Sequence, residues 1–162
     1  MKSNFRIGHG VDVHRFGKGR KLVLGGIHIP YSYGLLGHSD ADVVLHALMN
    51  AILGALGKGD IGTHFPDTEP KYKGIASDVL MKKVLGMMSR SGYHVINGDI
   101  SVLAQKPRIA PFYPEISKRL ARLLKVPLGA VNIKAATTEK MGWIGKGQGM
   151  AAMAVVLLER NR

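Results

Sequence analysis

The sequence predicts an α+β fold: one domain over residues 1–162, with helices packed on one face of a sheet. Three observations carry that expectation. The length of 162 residues suits one domain with a sizeable core. At 46% apolar the composition is globular, and no repeat or linker divides it. Stretches of strand and helix period are interspersed along the chain, which gives an α/β or α+β layering of helices on a sheet.

The elements follow in order. In Arg6 to Phe16, Ile7, Val11 and Val13 alternate with Gly8, Gly10, Asp12 and His14. A period of two marks a strand over 5–14, with Asp12 and His14 on one face and the valines expected in the core. A second strand is expected over 21–29, then a turn from Pro30 to Gly37. A helix should begin near Ser39 and end at Gly57, since Ser39-Asp40-Ala41-Asp42 has the form of a capping box with acids in the first turn. Residues 58–74 read as a loop rich in Gly, Asp, Thr and Pro. A second helix spans about 75–91 and stops at Gly92, a strand spans 98–104, and a third helix spans 112–125. Strands at 130–136 and 150–158 complete the pattern.

Composition narrows the function. There is no cysteine, which excludes disulfides and leaves nitrogen and oxygen as metal donors. No apolar run approaches the length of a membrane span and no signal segment opens the chain, so a cytoplasmic enzyme without a membrane partner is expected. The net charge of +12 is uneven, at +1 over residues 1–69 and +11 over 70–162. Basic fields attract polyphosphates. Lys82, Lys83, Arg90, Lys118, Arg119, Arg122 and Lys125, however, fit the outer faces of two amphipathic helices, which favours solubility or attraction of a phosphorylated substrate over nucleic acid.

Six of the seven histidines lie in the first 69 residues, with six of the eleven acids. Asp12 and His14 on one strand face, joined by His46 from a helix, suit a catalytic zinc with its fourth position open. The plainer reading is a solvated strand face and an ordinary polar-face histidine, since His46 lies off the stripe of Val44, Leu48, Ala51 and Ala55. Asp42 reads as a helix cap or as a group orienting the His46 imidazole. Gly37-His38-Ser39 stands where free helix amides would hold an anion. The 59–70 loop packs three acids and a histidine among turn formers, although Asp in turns is also common for backbone reasons. Thr137-Thr138-Glu139-Lys140 gathers hydroxyls, a carboxylate and an ammonium. The glycine-spaced 142–149 segment lacks the lysine–serine ending and the strand–helix setting of a nucleotide-binding P-loop. Together these features suit chemistry on a diphosphate.

Gly8 to His14, Gly37 to Asp42 with Leu45-His46-Ala47, Gly59 to Gly62, Phe65-Pro66-Asp67 and Thr137 to Lys140 closely resemble the 2-C-methyl-D-erythritol 2,4-cyclodiphosphate synthase family, in order over essentially the whole chain. The resemblance implies a homotrimer with active sites shared between neighbours. It implies conversion of 4-diphosphocytidyl-2-C-methyl-D-erythritol 2-phosphate to the cyclic diphosphate with release of CMP, a phosphorus–oxygen lyase reaction of the non-mevalonate isoprenoid route. Asp12, His14 and His46 match the family's zinc ligands, and Glu139 matches the ligand of a second divalent ion, magnesium or manganese. His38 and Thr137 match the groups that stabilise the transition state.

The same resemblance places the substrate near Asp12, Val13, His14, His38 and Ser39, and within the loop of Asp60, Ile61, Gly62, Phe65, Pro66, Asp67, Thr68 and Glu69. Ala104, Gln105, Lys106, Pro107, Arg108, Ile109 and Ala110 match the cytidine pocket. Ala136, Thr137, Thr138, Glu139, Trp143 and Lys146 complete the expected contacts. Two departures stand out. Ala136 replaces a threonine common in the family, and Lys146 and Gln148 replace an arginine and a glutamate in the loop lining the family's axial cavity. A lysine is a point charge where arginine is a two-pronged clamp, so an isoprenoid diphosphate in that cavity is in doubt for this chain.

The implied chemistry is physically coherent. The nucleophile, a phosphate oxygen, is already in the substrate and largely ionised, so the enzyme's task is to fold the substrate and spread charge. Zinc would polarise the β-phosphate while the second ion steadies the departing CMP. Two alternative readings stand beside it. A metal-dependent phosphohydrolase would employ water as the attacker, and a basic RNA-binding scaffold would rest on net charge alone.

Overall fold

The computed structural model describes residues 3–161. Its centre is a five-stranded sheet in the order β4-β1-β7-β5-β6. Those strands are β1 (Phe5–Gly17), β4 (Gly34–Leu35), β5 (Tyr93–Leu103), β6 (Val131–Ala136) and β7 (Gly149–Arg160). β7 pairs antiparallel with both β1 and β5, while β5 and β6 run parallel. The parallel pair needs a crossover, and α4 (Tyr113–Leu124) lies within it. The remaining strands, β2 (Leu22–Leu24) and β3 (Ile27–Ile29), form a separate hairpin where one longer strand was expected. Gly25 and Gly26, both at positive φ, turn the chain between them.

Helix α1 (Val43–Ala55) lies against β1 and β7, with α3 (Ser77–Arg90) beyond it. Eleven of the thirteen residues of α1 are buried, so it is a core helix rather than an amphipathic surface helix. His46 is accordingly buried, and the polar-face reading of it fails. The expected capping position also moves. Asp42, not Ser39, caps α1, accepting from the Val44 and Leu45 amides.

The period of β1 is as expected, but its faces are reversed. Gly8 and Gly10 are buried, whereas Ile7 is 73% exposed and Val11 and Val13 are about half exposed. The glycines face α1 because nothing larger fits. A Cβ on Gly8 would lie 1.8 Å from the Ala51 carbonyl oxygen, and one on Gly10 2.2 Å from that of Ala47. The close neighbour of both glycines is α1 of the same chain. Val11 pairs with Met153 and His9 with Val155, so the opposite face is an apolar strip that no helix among the described residues covers.

The two segments read as loops contain short helices. Asp60 caps α2 (Ile61–His64) through the Thr63 amide, and α5 (Gly142–Gly145) precedes β7. β5 begins at Tyr93, five residues before its expected start, across an irregularity near Val95.

Candidate active site

β1 and α1 bring together the three residues singled out at the start. Asp12 and His14 point from β1 toward α1, where His46 follows the cap by one turn. The Asp12 Oδ2 atom lies 2.9 Å from His14 Nε2 and 3.1 Å from His46 Nδ1, and those two nitrogens are 3.1 Å apart. Gly37 lets the His14 ring sit close, since a Cβ there would meet its Cε1 atom at 3.0 Å.

Each imidazole is gripped on its far side. His14 Nδ1 lies 2.8 Å from the Leu36 carbonyl oxygen, to which it donates, so Nε2 is the nitrogen turned to Asp12 and available to a cation. His46 Nε2 lies 2.9 Å from Ser77 Oγ and 3.1 Å from Ser39 Oγ. Burial alone would raise the Asp12 carboxyl, but its hydrogen bonds and charge attraction to both imidazoles hold it at about 2. Burial opposes protonation of His14, yet the Asp12 partner and the Leu36 carbonyl raise its pKa. A carboxylate oxygen and two imidazole nitrogens within 4.8 Å of one another fit a divalent cation.

Asp42 takes no part in this grip. Its buried carboxylate accepts from the Gly25 and Gly26 amides as well as those of α1. Burial pushes it up to about 6 while these donors pull it down. The α1 amides expected to hold an anion are thus already occupied by Asp42.

A cleft of about 500 Å³ opens over the cluster. Asp12, His14 and His46 form its floor, with His38, Ser39, Ile61, Gly62, Phe65, Pro66, Asp67 and Thr68 along the walls. Sequence reasoning missed the apolar wall of Tyr72, Ile75 and Leu80. Asp60 and Glu69 are not lining residues: the first caps α2 and the second pairs with Lys71. The Glu69 carbonyl lies 3.4 Å from His38 Nε2.

A second cleft, of about 600 Å³, is lined by Ala104, Gln105, Lys106, Pro107, Arg108, Ile109 and Ala110 with Ala136 and Thr137. Tyr31 and Tyr113 add aromatic walls that the sequence reading did not include. Beside it Glu139 is exposed and accepts from Thr137 Oγ1 at 2.7 Å. Glu139 and Lys140 both hold positive φ, an uncommon conformation for side-chain-bearing residues that presents their side chains from a tight bend. Thr138 bonds the Met141 carbonyl. Val13 and Trp143 line a smaller third hollow on the uncovered side of the sheet, and Lys146 is exposed next to it. One chain therefore does not bring Glu139 to the Asp12–His14–His46 cluster.

The YgbB family model matches residues 5–159. The chain belongs to the YgbB family. Among its relatives, the 2-C-methyl-D-erythritol 2,4-cyclodiphosphate synthase of Geobacillus thermodenitrificans is 54% identical over 157 residues, covering 97% of this chain and 98% of that protein. The IspF of Plasmodium falciparum, solved as a CDP complex, has a TM-score of 0.86 at 32% identity, covering 99% of this chain and 100% of that one. The bifunctional IspDF of Campylobacter jejuni has a TM-score of 0.92 at 42% identity over 96% of this chain, which spans 42% of that longer protein. The mixed sheet-and-helix fold is thus that of the YgbB family. No described helix is long and apolar enough to cross a membrane.

Proposed function

We propose that the protein cyclises 4-diphosphocytidyl-2-C-methyl-D-erythritol 2-phosphate to 2-C-methyl-D-erythritol 2,4-cyclodiphosphate, releasing CMP as a phosphorus–oxygen lyase. The observation that carries this reading is the convergence of Asp12 Oδ2, His14 Nε2 and His46 Nδ1 on the floor of an open cleft. The relatives' names and the CDP complex support it.

In this reading Asp12, His14 and His46 hold zinc, and Glu139 holds magnesium or manganese. Zinc, when bound, supplies Lewis-acid polarisation of a phosphate oxygen. The protein's own side chains do the rest. The 61–68 wall closes on the methylerythritol part, and the small residues Ala104, Ala110 and Ala136 leave room for a cytosine against exposed backbone. His38 and Thr137 donate to phosphate oxygens as charge shifts between them. A 2-phosphate oxygen forms the new bond to the β-phosphorus, and the bond from that phosphorus to the α–β bridging oxygen breaks as CMP departs. No side chain removes a proton from the attacking oxygen, because the phosphate monoester is already largely ionised.

The uncovered strip of Ile7, Val11, Val13 and Val155 supports a homotrimer, since exposed apolar area of this kind marks interfaces. A trimer would bring the Glu139 side of one chain to the cluster of the next. A cytoplasmic location accords with a biosynthetic role.

The deciding experiment incubates the protein with the cytidyl substrate and Mg²⁺, then separates the products. CMP with the cyclic diphosphate is the expected pair. Free phosphate or an open-chain product would instead establish a phosphohydrolase, and salt-sensitive RNA binding without turnover a scaffold.

A further inference from the structure

The far side of His46 holds a hydrogen-bonded chain that the reaction outlined above leaves unused. Ser77, the first residue of α3, is fully buried, and its hydroxyl donates to an Asp40 carboxylate oxygen. The other Asp40 oxygen accepts the Ser77 amide at 3.0 Å. With its proton committed to Asp40, Ser77 Oγ faces His46 Nε2 with lone pairs only, at 2.9 Å. Ser39 Oγ stands 3.1 Å from the same nitrogen and accepts the Ala41 amide.

On the near side, Asp12 Oδ2 competes for the same imidazole proton at Nδ1. A proton there would block the nitrogen that faces the cluster. We propose that Asp40 and Ser77 are positioning residues: the Asp40–Ser77 pair holds His46 as its Nε2–H tautomer and so keeps Nδ1 open to a divalent cation. The assignment rests on reading Asp12, His14 and His46 as the metal ligands. It also gives Asp40 a task distinct from Asp42, which caps α1 and does not touch the ring.

Asp40 has a structural task as well. The residue preceding α3, Ala76, offers no side-chain cap, and the Asp40 carboxylate serves the first amide of that helix instead. The test must therefore separate positioning from folding. It uses zinc-free and zinc-loaded protein at pH 8, with Ser77→Ala, Ser77→Cys and Asp40→Asn.

Long-range nitrogen–proton NMR on the zinc-free protein should show the His46 proton on Nε2, moving toward Nδ1 in Ser77→Ala. Chelator competition should show zinc held about 10- to 100-fold more weakly in Ser77→Ala and Asp40→Asn, the range usual for lost outer partners of a ligand. Ser77→Cys keeps the volume but is a poor hydrogen-bonding group, so it should behave as Ser77→Ala does. Three results would overturn the proposal: a proton on Nδ1 in the wild type, zinc affinity within twofold of wild type in Ser77→Ala, or wild-type affinity in Ser77→Cys. Wild-type protein that binds no zinc would defeat the reading of the cluster itself, whereas the zinc-free tautomer measurement stands apart from it.

Discussion

The two large clefts are built to different degrees. The one over Asp12, His14 and His46 is finished within a single chain: its donors already converge, each imidazole is gripped from behind, and the floor is part of the core. The one over Ala104 to Ala110 combines buried Ala104 and Ile109 with exposed Lys106, Arg108 and Ala110, and Glu139 stands outside it on a bend at positive φ. The contrast teaches where precision is needed. The three converging donors are fixed by packing, whereas the second cleft and Glu139 hold no such converging set among the described residues.

The sharpest break in this comparison is His46→Ala. It should abolish stoichiometric zinc and all detectable cyclic product, as measured by metal analysis and product separation. Near wild-type turnover with full zinc would show that the finished cleft is not the reactive one.

If the second cleft is completed by a neighbour, two inactive variants should complement. In a ring mixing His46→Ala with Ala104→Trp, one interface pairs an intact cluster with an intact cytidine side, so about one third of sites should recover. A fully active monomer in sedimentation would end the idea, and silent mixed trimers would place both halves in one chain.

Glu139→Gln tests whether the two sides serve different ions. Zinc content should stay unchanged while the Mg²⁺ or Mn²⁺ needed for half-maximal rate rises about tenfold, since oxygen donors are what those ions prefer. Loss of zinc with an unchanged Mg²⁺ response would merge the two sites.

Acidity gives a smaller, graded effect. The raised pKa of His14 means that the metal-free cluster keeps a proton at higher pH than free histidine, whose ordinary value is 6.5. That pairing stabilises the metal-free fold below the ordinary value, and the contribution is lost as pH rises through the raised one. Asp12 has the opposite sign: its contribution is present above 3.8 and is lost as pH falls toward about 2. Zinc must displace the His14 proton, so its apparent affinity should fall as pH drops, measured by chelator competition. A flat profile from pH 5.5 to 8.5 would contradict the pairing.

The smallest effect should come from Gly8→Ala, at about 1–3 kcal/mol of stability, because backbone must shift to admit the methyl group. Chemical unfolding of the metal-free protein would measure it, and an unchanged midpoint would show that α1 can move.

Much of the finished cleft was legible because its residues sit in short motifs: Asp12 with His14, Gly37 to Asp42, and the turn-rich 59–70 segment. The strands and helices were legible from period. The side of β1 was not, because alternation reveals two faces without revealing which one a helix will cover. Assigning the valines inward followed the general habit of apolar residues, and the glycines overruled it by admitting α1. Ser77 was hidden for another reason. It lies 31 residues from His46, and nothing local to it distinguishes a ligand's partner from an ordinary helix start. The short helices after Asp60 and Met141 escaped because four residues carry too little period to register.

The bare face of Gly8 and Gly10 sets more than a packing distance. It works as a spacer gauge, seating the backbone of α1 directly on β1 so that His46 meets Asp12 and His14 without stretching any side chain. A chain that kept all three donors but filled either glycine would keep the motif with α1 shifted off its seat. Variants that weaken the site without touching Asp12, His14 or His46 should therefore include substitutions of Gly8 and Gly10.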